Sequence, residues 1–347
     1  MRLLFKNFRL IRRIGFALAL LGASLIAPRL TAQNTPALSG GVGFFTNTNG
    51  GQTTYQMIAA PVIAVPISSN WLIEGRANLL EDVTPASTGG YNTSRFFGLS
   101  YMQADYLAGK HATIVGGYFL TPFGTYNERL SPIWISNFQE VPLIFGIGAM
   151  GNGSSLGGMV TGNVVSTANV SVSYSAYVAA NSTNVQVNSQ RATGGQTSFY
   201  FPKARLEVGA SYGHRLENTG ENDFGTHVWW EPVKVPIAIR SEYAHAPHSQ
   251  GYWIEADYHM PQMHAATWLA GLEPVTRIQQ SFRNAPDSTD GLPPVDTQRV
   301  DFGMNYHFTH DIRINTGYGR RFSSNGNLNI WQTGLVYRFL TPVWKGK

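Results

Sequence analysis

The segment Arg299–Thr309, with the sequence RVDFGMNYHFT, alternates apolar and polar side chains from one residue to the next. Successive side chains of a β-strand point to opposite faces of a sheet, so this period of two predicts a strand with two unlike faces. One face would carry Val300, Phe302, Met304, Tyr306 and Phe308, and the other Asp301, Gly303, Asn305 and His307. The segment predicts an all-β fold.

The same alternation recurs from about residue 40 to residue 339, for example in Leu206–Tyr212, Tyr252–Tyr258 and Ile312–Tyr318. A helical period appears only near the N-terminus. Sixteen candidate strands follow, with starts near residues 40, 53, 70, 95, 110, 156, 169, 195, 204, 225, 235, 250, 264, 297, 311 and 328. We therefore expect about sixteen antiparallel strands in one sheet or in two packed sheets.

The lengths of the connections favour a closed barrel over a soluble sandwich. Short and long connections are expected to alternate, as they do when a barrel has short turns at one rim and long loops at the other. The short ones include Ser68–Asn70, Ala108–Gly109, Ser166–Thr167, Pro202–Lys203, Pro261–Met263 and His310–Asp311, and the long ones Glu81–Ser94, Asn181–Gly194, Arg215–Asp223 and Ile278–Asp296. A sandwich gives no reason for such sorting.

The composition of the two faces favours a membrane barrel. Tyr252, Tyr258, Tyr337 and Phe339 lie near the ends of apolar faces, where transmembrane barrels carry aromatic girdles. The opposite faces carry so many ionised residues that a dry core could not accommodate them. We expect the apolar faces to contact lipid and the polar faces to line a water-filled lumen, with a soluble sandwich as the alternative.

The first 32 residues are typical of a secretory signal peptide. They hold six basic residues and no acid, followed by the apolar stretch Ile14–Ala27 and small residues before Gln33. The expected organisation is a signal peptide over 1–32 and one barrel domain over 33–347, without disulfides because the chain has no cysteine. The net charge of +5 falls to −1 without these six basic residues, so it is no evidence for nucleic-acid binding.

The longest connection, the third on the outer side of the barrel, runs from about Pro122 to Ser155. It contains Trp134, Phe138 and Phe145, which are too apolar for a loop that stands in solvent. We expect it to fold inward and narrow the lumen. Its only charged residues are predicted to form the pore constriction: Glu128, Arg129 and Glu140.

Val115–Gly124, with the sequence VGGYFLTPFG, is similar to the G-x-F-x-T-P-F-G segment of the phosphate-selective porin O and P family. The resemblance implies a sixteen-stranded, trimeric diffusion porin in the outer membrane of a Gram-negative-type bacterium. It also implies basic residues that draw anions through the lumen, but only five lysines follow residue 32 and acids are frequent. Phosphate selectivity is therefore not expected. The predicted lumen-lining residues are Glu74, Arg76, Arg240, Glu242, Glu255, Asp257, Asp301, Arg313 and Arg338.

The expected function is passive diffusion of small hydrophilic solutes or ions, with membrane lipid and two further copies of the chain as partners. The alternatives are a barrel hydrolase and a non-conducting adhesive barrel. His245-x-x-His248 and His307-x-x-His310 lack cysteines or a paired carboxylate set, and no G-x-S-x-G motif marks a nucleophile. His259 and Asp257 are interpreted as a hydrogen-bonded lumen pair, and no catalytic, cofactor or metal site is predicted.

Overall fold

The computed structural model describes residues 35–87, 89–145, 153–217, 220–260, 269–285 and 290–342. The signal peptide expected over residues 1–32 lies outside these ranges and stays a prediction. Within them, no helix has both the length and the apolar character that a membrane span requires.

Sixteen antiparallel strands follow one another around a closed barrel within the described residues. Their bounds are Ala37–Asn49 (β1), Gln52–Pro66 (β2), Trp71–Pro85 (β3), Tyr91–Leu107 (β4), Thr113–Leu120 (β5), Ser154–Ser166 (β6), Ser171–Ala180 (β7), Ala192–Phe201 (β8), Leu206–Arg215 (β9), Asn222–Trp230 (β10), Ile237–Ala246 (β11), Ser249–Tyr258 (β12), Leu272–Arg283 (β13), Thr297–His307 (β14), Ile312–Ser323 (β15) and Leu328–Pro342 (β16). The predicted fold class and strand number are confirmed.

The first and last strands close the barrel. Their register runs from Ala37 opposite Pro342 to Asn49 opposite Ile330. Closure pairs both edges of every strand, as lipid requires, because backbone groups in hydrocarbon find no water to bind. We call the rim with the start of β1 and the end of β16 the terminal rim, and the opposite one the loop rim.

The two faces of the sheet have the predicted chemistry. On the outer face Ile254, Phe302 and Trp331 are 45%, 60% and 59% exposed. Their inward neighbours Glu255 and Asp301 are buried. Alternation thus fixed the register, since a slip of one residue would exchange the faces.

Fifteen strands begin within four residues of the predicted starts, and β13 is the exception. It begins at Leu272, after the short 3-10 turn Leu269–Gly271, and not near residue 264. The stretch before it is apolar at both parities, as in Trp268-Leu269-Ala270, so it carries no period of two. The predicted short turn Pro261–Met263 lies outside the described residues, but the whole connection between β12 and β13 spans thirteen residues.

The predicted sorting of connection lengths holds only in part. The connection expected over Glu81–Ser94 is a five-residue turn, because β3 and β4 continue past those positions. Glu81 lies opposite Arg95 in the register and accepts a 2.9 Å hydrogen bond from its Nε, which extends the pairing. The connections expected over Arg215–Asp223 and Ile278–Asp296 shorten to six and thirteen residues. Both rims therefore carry a thirteen-residue connection.

Candidate pore and its inner loop

The described part of the connection between β5 and β6, residues 121–145, folds into the barrel, as predicted. Its side chains Phe123, Tyr126, Leu130 and Ile144 are buried in one cluster with Trp253 of β12. We call residues 121–145 the inner loop.

A single wall carboxylate holds the start of the inner loop. Glu242 of β11 is 2% exposed, and its Oε1 accepts hydrogen bonds from the backbone N–H of Thr125 and from that of Tyr126 at 2.6 Å. The Thr125 hydroxyl donates to the same oxygen at 2.6 Å. Gly124, at φ +67°, brings the backbone so close that a Cβ there would lie 2.8 Å from Oε1. Charge-assisted bonds of this kind are about twice as strong as neutral ones, so this contact fixes the loop entrance.

The middle of the inner loop lies against β12, β14 and β15. Asn137 donates to Glu255 Oε1 at 2.9 Å and accepts a bond from Asn305 at 3.1 Å. Arg313 Nη2 donates to the backbone oxygen of Ser136 at 2.6 Å. These wall side chains are therefore occupied by the loop and do not face open water.

Arg277 of β13 links the inner loop to the packed side of the barrel. Its Nη2 lies 2.7 Å from Glu255 Oε2, its Nη1 donates to the backbone oxygen of Glu140 at 2.9 Å, and its guanidinium lies 4.7 Å from the centre of the Phe138 ring. Arg277 itself is 1% exposed. A buried charge of this kind persists only where hydrogen bonds and an opposite charge compensate its lost hydration.

The three loop charges predicted to form one constriction lie at separate places. Glu140 binds Arg299 and Asn47. Arg129 donates two hydrogen bonds of 2.9 Å to the carboxylate of Glu207. Glu128 is partly buried beside a cavity. Its desolvation there raises the pKa of its carboxyl to about 7.

Among the described residues, two of the cavities lie between the inner loop and the barrel wall, mainly at the inner face of β1–β4. The larger, about 320 Å³, is lined by wall residues Glu74, Arg76 and Gln103 and by loop residues Glu128 and Trp134, among others. The smaller, about 260 Å³, lies nearer the loop rim and is lined by β1 and β2 residues and by Gln139 and Glu140. We call the inner face of β1–β4 the open wall and the inner face of β11–β15 the packed wall.

Eight of the nine predicted lumen-lining residues lie on these two walls, and Arg338 lies on β16. Glu74 and Arg76 line the larger cavity of the open wall. On the packed wall, Glu242, Glu255 and Arg313 bind the inner loop directly, and Asp301 binds Arg299. Three lie toward the terminal rim: Arg240 and Asp257, which form an ion pair at 2.8 Å, and the exposed Arg338.

The prediction missed Arg277 and Gln279, which bind the inner loop from β13. Gln279 Oε1 accepts a 2.8 Å hydrogen bond from the backbone N–H of Leu143. The signal was present, since both residues alternate with the outward Ile278, which is 49% exposed. It was lost because the strand was expected to start near residue 264, which ended it before Ile278 and assigned residues 278–296 to a connection.

Comparison with known proteins gives a structural answer only. No family model matches the chain, and no curated protein matches its sequence. Among solved structures, OmpF of Salmonella typhi has a TM-score of 0.60 at 15% identity, over 88% of this chain and 98% of that one. OprB of Pseudomonas putida has a TM-score of 0.60 at 10% identity, over 88% and 94%. The anion-selective porin of Comamonas acidovorans has a TM-score of 0.52 at 9% identity, over 88% and 100%. The chain therefore has the fold of the outer-membrane porins, a closed antiparallel barrel with a loop inside its lumen.

Proposed function

We propose that this chain is an outer-membrane porin that lets small hydrophilic solutes or ions diffuse through the barrel, and that it assembles as a homotrimer. The observation that carries the proposal is the one-sided packing of the inner loop. The loop packs against the packed wall and leaves cavities of about 320 and 260 Å³ along the open wall. A barrel that served only as a scaffold would gain stability by filling both sides.

The two cavities follow the same strand, which supports a single path through them. Ser39 of β1 lines the larger cavity, and Phe45 and Asn47 of the same strand line the smaller. Between them Trp134 approaches the wall at Gly41, where a Cβ would lie 2.7 Å from Trp134 Cε3. This contact is the proposed neck of the path, since only glycine leaves room there for the indole.

The charges beside the larger cavity favour weak cation preference over anion selectivity. Two carboxylates, Glu74 and Glu128, share it with one guanidinium, Arg76. Charged side chains that line a pore set its electrostatic barrier for ions. The resemblance of Val115–Gly124 to phosphate-selective porins supports membership among porins broadly, while the basic ladder of that family has no counterpart along this path.

A hydrolase is the less favoured alternative. His259 is the candidate general base, and its Nδ1 lies 3.4 Å from Asp257 Oδ1. The same Nδ1 lies 3.6 Å from the carboxylate of Glu273, which is not a hydroxyl nucleophile. Nucleophilic catalysis needs a nucleophile within hydrogen-bond reach of the base.

The test is single-channel conductance of the purified protein in planar bilayers. We expect stable channels, a higher conductance for Trp134→Ala, and a still higher one when residues 133–147 are deleted. Trp331→Ala is the matched control, because that indole is 59% exposed on the outer face. Absence of channels from correctly folded protein would overturn the proposal. Equal conductance of the wild type and the three variants would show that the inner loop does not form the narrowest part of the path.

A further inference from the structure

A compact group of two imidazoles and two carboxylates lies at the terminal rim, outside the proposed path. Asp257 and His259 lie at the end of β12, Glu273 at the start of β13 and His307 at the end of β14. Neighbouring strands bring them together although as many as fifty residues separate them. The ligand atoms of Asp257, His259 and Glu273 all lie within 4.8 Å of one another.

The two distances from His259 in this group are longer than hydrogen bonds. His259 Nδ1 lies 3.4 Å from Asp257 Oδ1 and 3.6 Å from Glu273 Oε1. Hydrogen bonds between nitrogen and oxygen in proteins run from about 2.7 to 3.2 Å. Ligand atoms about 2.0–2.2 Å from a tetrahedral metal ion lie roughly 3.4 Å apart, which is close to the two distances from His259 Nδ1.

Asp257 gives a second and independent indication. Its side chain is 0% exposed. Its Oδ1 accepts no hydrogen bond within the part of the chain that the structure describes. Arg240 Nη1 lies 2.8 Å from Oδ2, so Oδ1 is the atom that points toward His259 without a partner of its own. A buried carboxylate oxygen in this condition is costly unless a cation binds it.

The remaining contacts fit the outer sphere of such a cation. His307 Nε2 lies 2.7 Å from Glu273 Oε2, the oxygen that does not face His259. Hydrogen bonds from a second side chain commonly orient a carboxylate ligand and raise its affinity for metal. The side chains of both histidines are 40% exposed, so an ion can reach the group from the terminal rim.

We propose that Asp257 Oδ1, His259 Nδ1 and Glu273 Oε1 form a binding site for one divalent transition-metal ion of the zinc type. Imidazole with two carboxylates suits zinc better than calcium or magnesium, which prefer six or more oxygen ligands or several waters. Three protein ligands leave a fourth position for water at the rim. Bound metal would join β12 to β13 at the end of their thirteen-residue connection.

The test measures zinc and cobalt binding to the purified, tag-free barrel in detergent, after treatment with a chelator. We expect one zinc ion per chain by competition with a chromophoric chelator, and the visible absorption of tetrahedral cobalt when Co²⁺ replaces it. His259→Gln and Glu273→Gln should abolish both signals. His307→Gln should weaken zinc binding by about 10- to 100-fold, because it removes only the orienting bond.

His245→Gln is the matched control. His245 is a partly buried histidine of β11 whose Nδ1 lies 3.1 Å from the backbone oxygen of Ala246, and we expect its loss to leave zinc binding unchanged. Heat-modifiable mobility in gels checks the folding of each variant, and His307→Gln keeps the test valid if another variant fails to fold. Absence of micromolar zinc binding by the wild type would overturn the proposal. Equal binding by wild type and all variants would do the same.

Discussion

The packed wall and the open wall belong to one sheet but use their inward side chains differently. On the packed wall Glu242, Glu255 and Arg277 are each no more than 3% exposed and bind the inner loop or one another. On the open wall Glu74 keeps contact with a cavity of about 320 Å³. Inward charged side chains are therefore concentrated where the loop is attached, and the proposed path follows the wall that carries fewer of them.

The difference has an energetic reason. Holding the inner loop inside a barrel requires partners for its backbone polar groups, and carboxylates and guanidiniums supply several strong bonds each. A permeation path requires the reverse, since it needs inward side chains that face water. Charge density on the inner face is thus a guide to anchoring as much as to conduction.

The largest expected effect comes from breaking the buried pair on the packed wall. Arg277→Met leaves Glu255 and the Glu140 carbonyl without their main partner, so the free energy of unfolding should fall by about 3–5 kcal/mol. Arg76→Met on the open wall removes one 3.3 Å hydrogen bond to Ser131 and should cost about 1 kcal/mol. Denaturant unfolding in micelles, followed by tryptophan fluorescence, measures both. Equal losses would contradict the distinction between the walls.

The two walls should also differ in how well they tolerate a larger side chain. Asn305→Arg forces a long side chain beneath Asn137, where Asn305 is 1% exposed, and should destabilise the barrel by about 1–3 kcal/mol. Ser39→Arg points into the larger cavity and should change stability by no more than about 0.5 kcal/mol while it lowers conductance. The same unfolding assay, paired with bilayer recordings, checks this. A stable Asn305→Arg protein would show that the packed wall has spare room.

A smaller effect is expected where the inner loop meets β9. Arg129 is 43% exposed and its pair with Glu207 is partly solvated, so Arg129→Gln should cost about 0–1 kcal/mol. Arg129→Glu should in addition shift the reversal potential in a salt gradient toward cations, because it exchanges a positive charge for a negative one inside the lumen. A reversal potential that stays the same in both variants would place this pair outside the path.

The smallest effect concerns pH. Because burial raises the pKa of Glu128 to about 7, the loop carboxyl is protonated below that value and ionised above it. Cation preference should therefore rise between pH 6 and pH 8, around that pKa of about 7. The folded state binds more protons than the unfolded one here, so this group lowers stability as pH rises from its ordinary pKa of 4.5 to about 7. Glu128→Gln should remove the shift in reversal potential, and persistence of that shift would assign it elsewhere.

Period-two patterns predicted the barrel because a strand's side-chain directions are a local property of the chain. Ile254 and Asp301 fell on the correct faces for that reason. The place of β13 was missed where adjacent apolar residues removed the alternation. The attachment of the loop could not be read in the same way, because Thr125 and Glu242 are 117 positions apart and meet only in the closed barrel. Sequence patterns give the face of a side chain, and long-range packing decides whether it meets water or protein.

The pairing of β1 with β16 has a consequence for biogenesis. Residues 37 and 342 must meet before either strand has both of its neighbours, so the barrel cannot close until the chain has been synthesised to its final strand. Contacts between such distant positions form slowly, and an unpaired edge strand invites pairing with another chain. A protein cut after residue 327 would keep fifteen strands and two free edges. Such a fragment should aggregate, so a closed barrel forms only from chains that include the fifteen-residue strand β16.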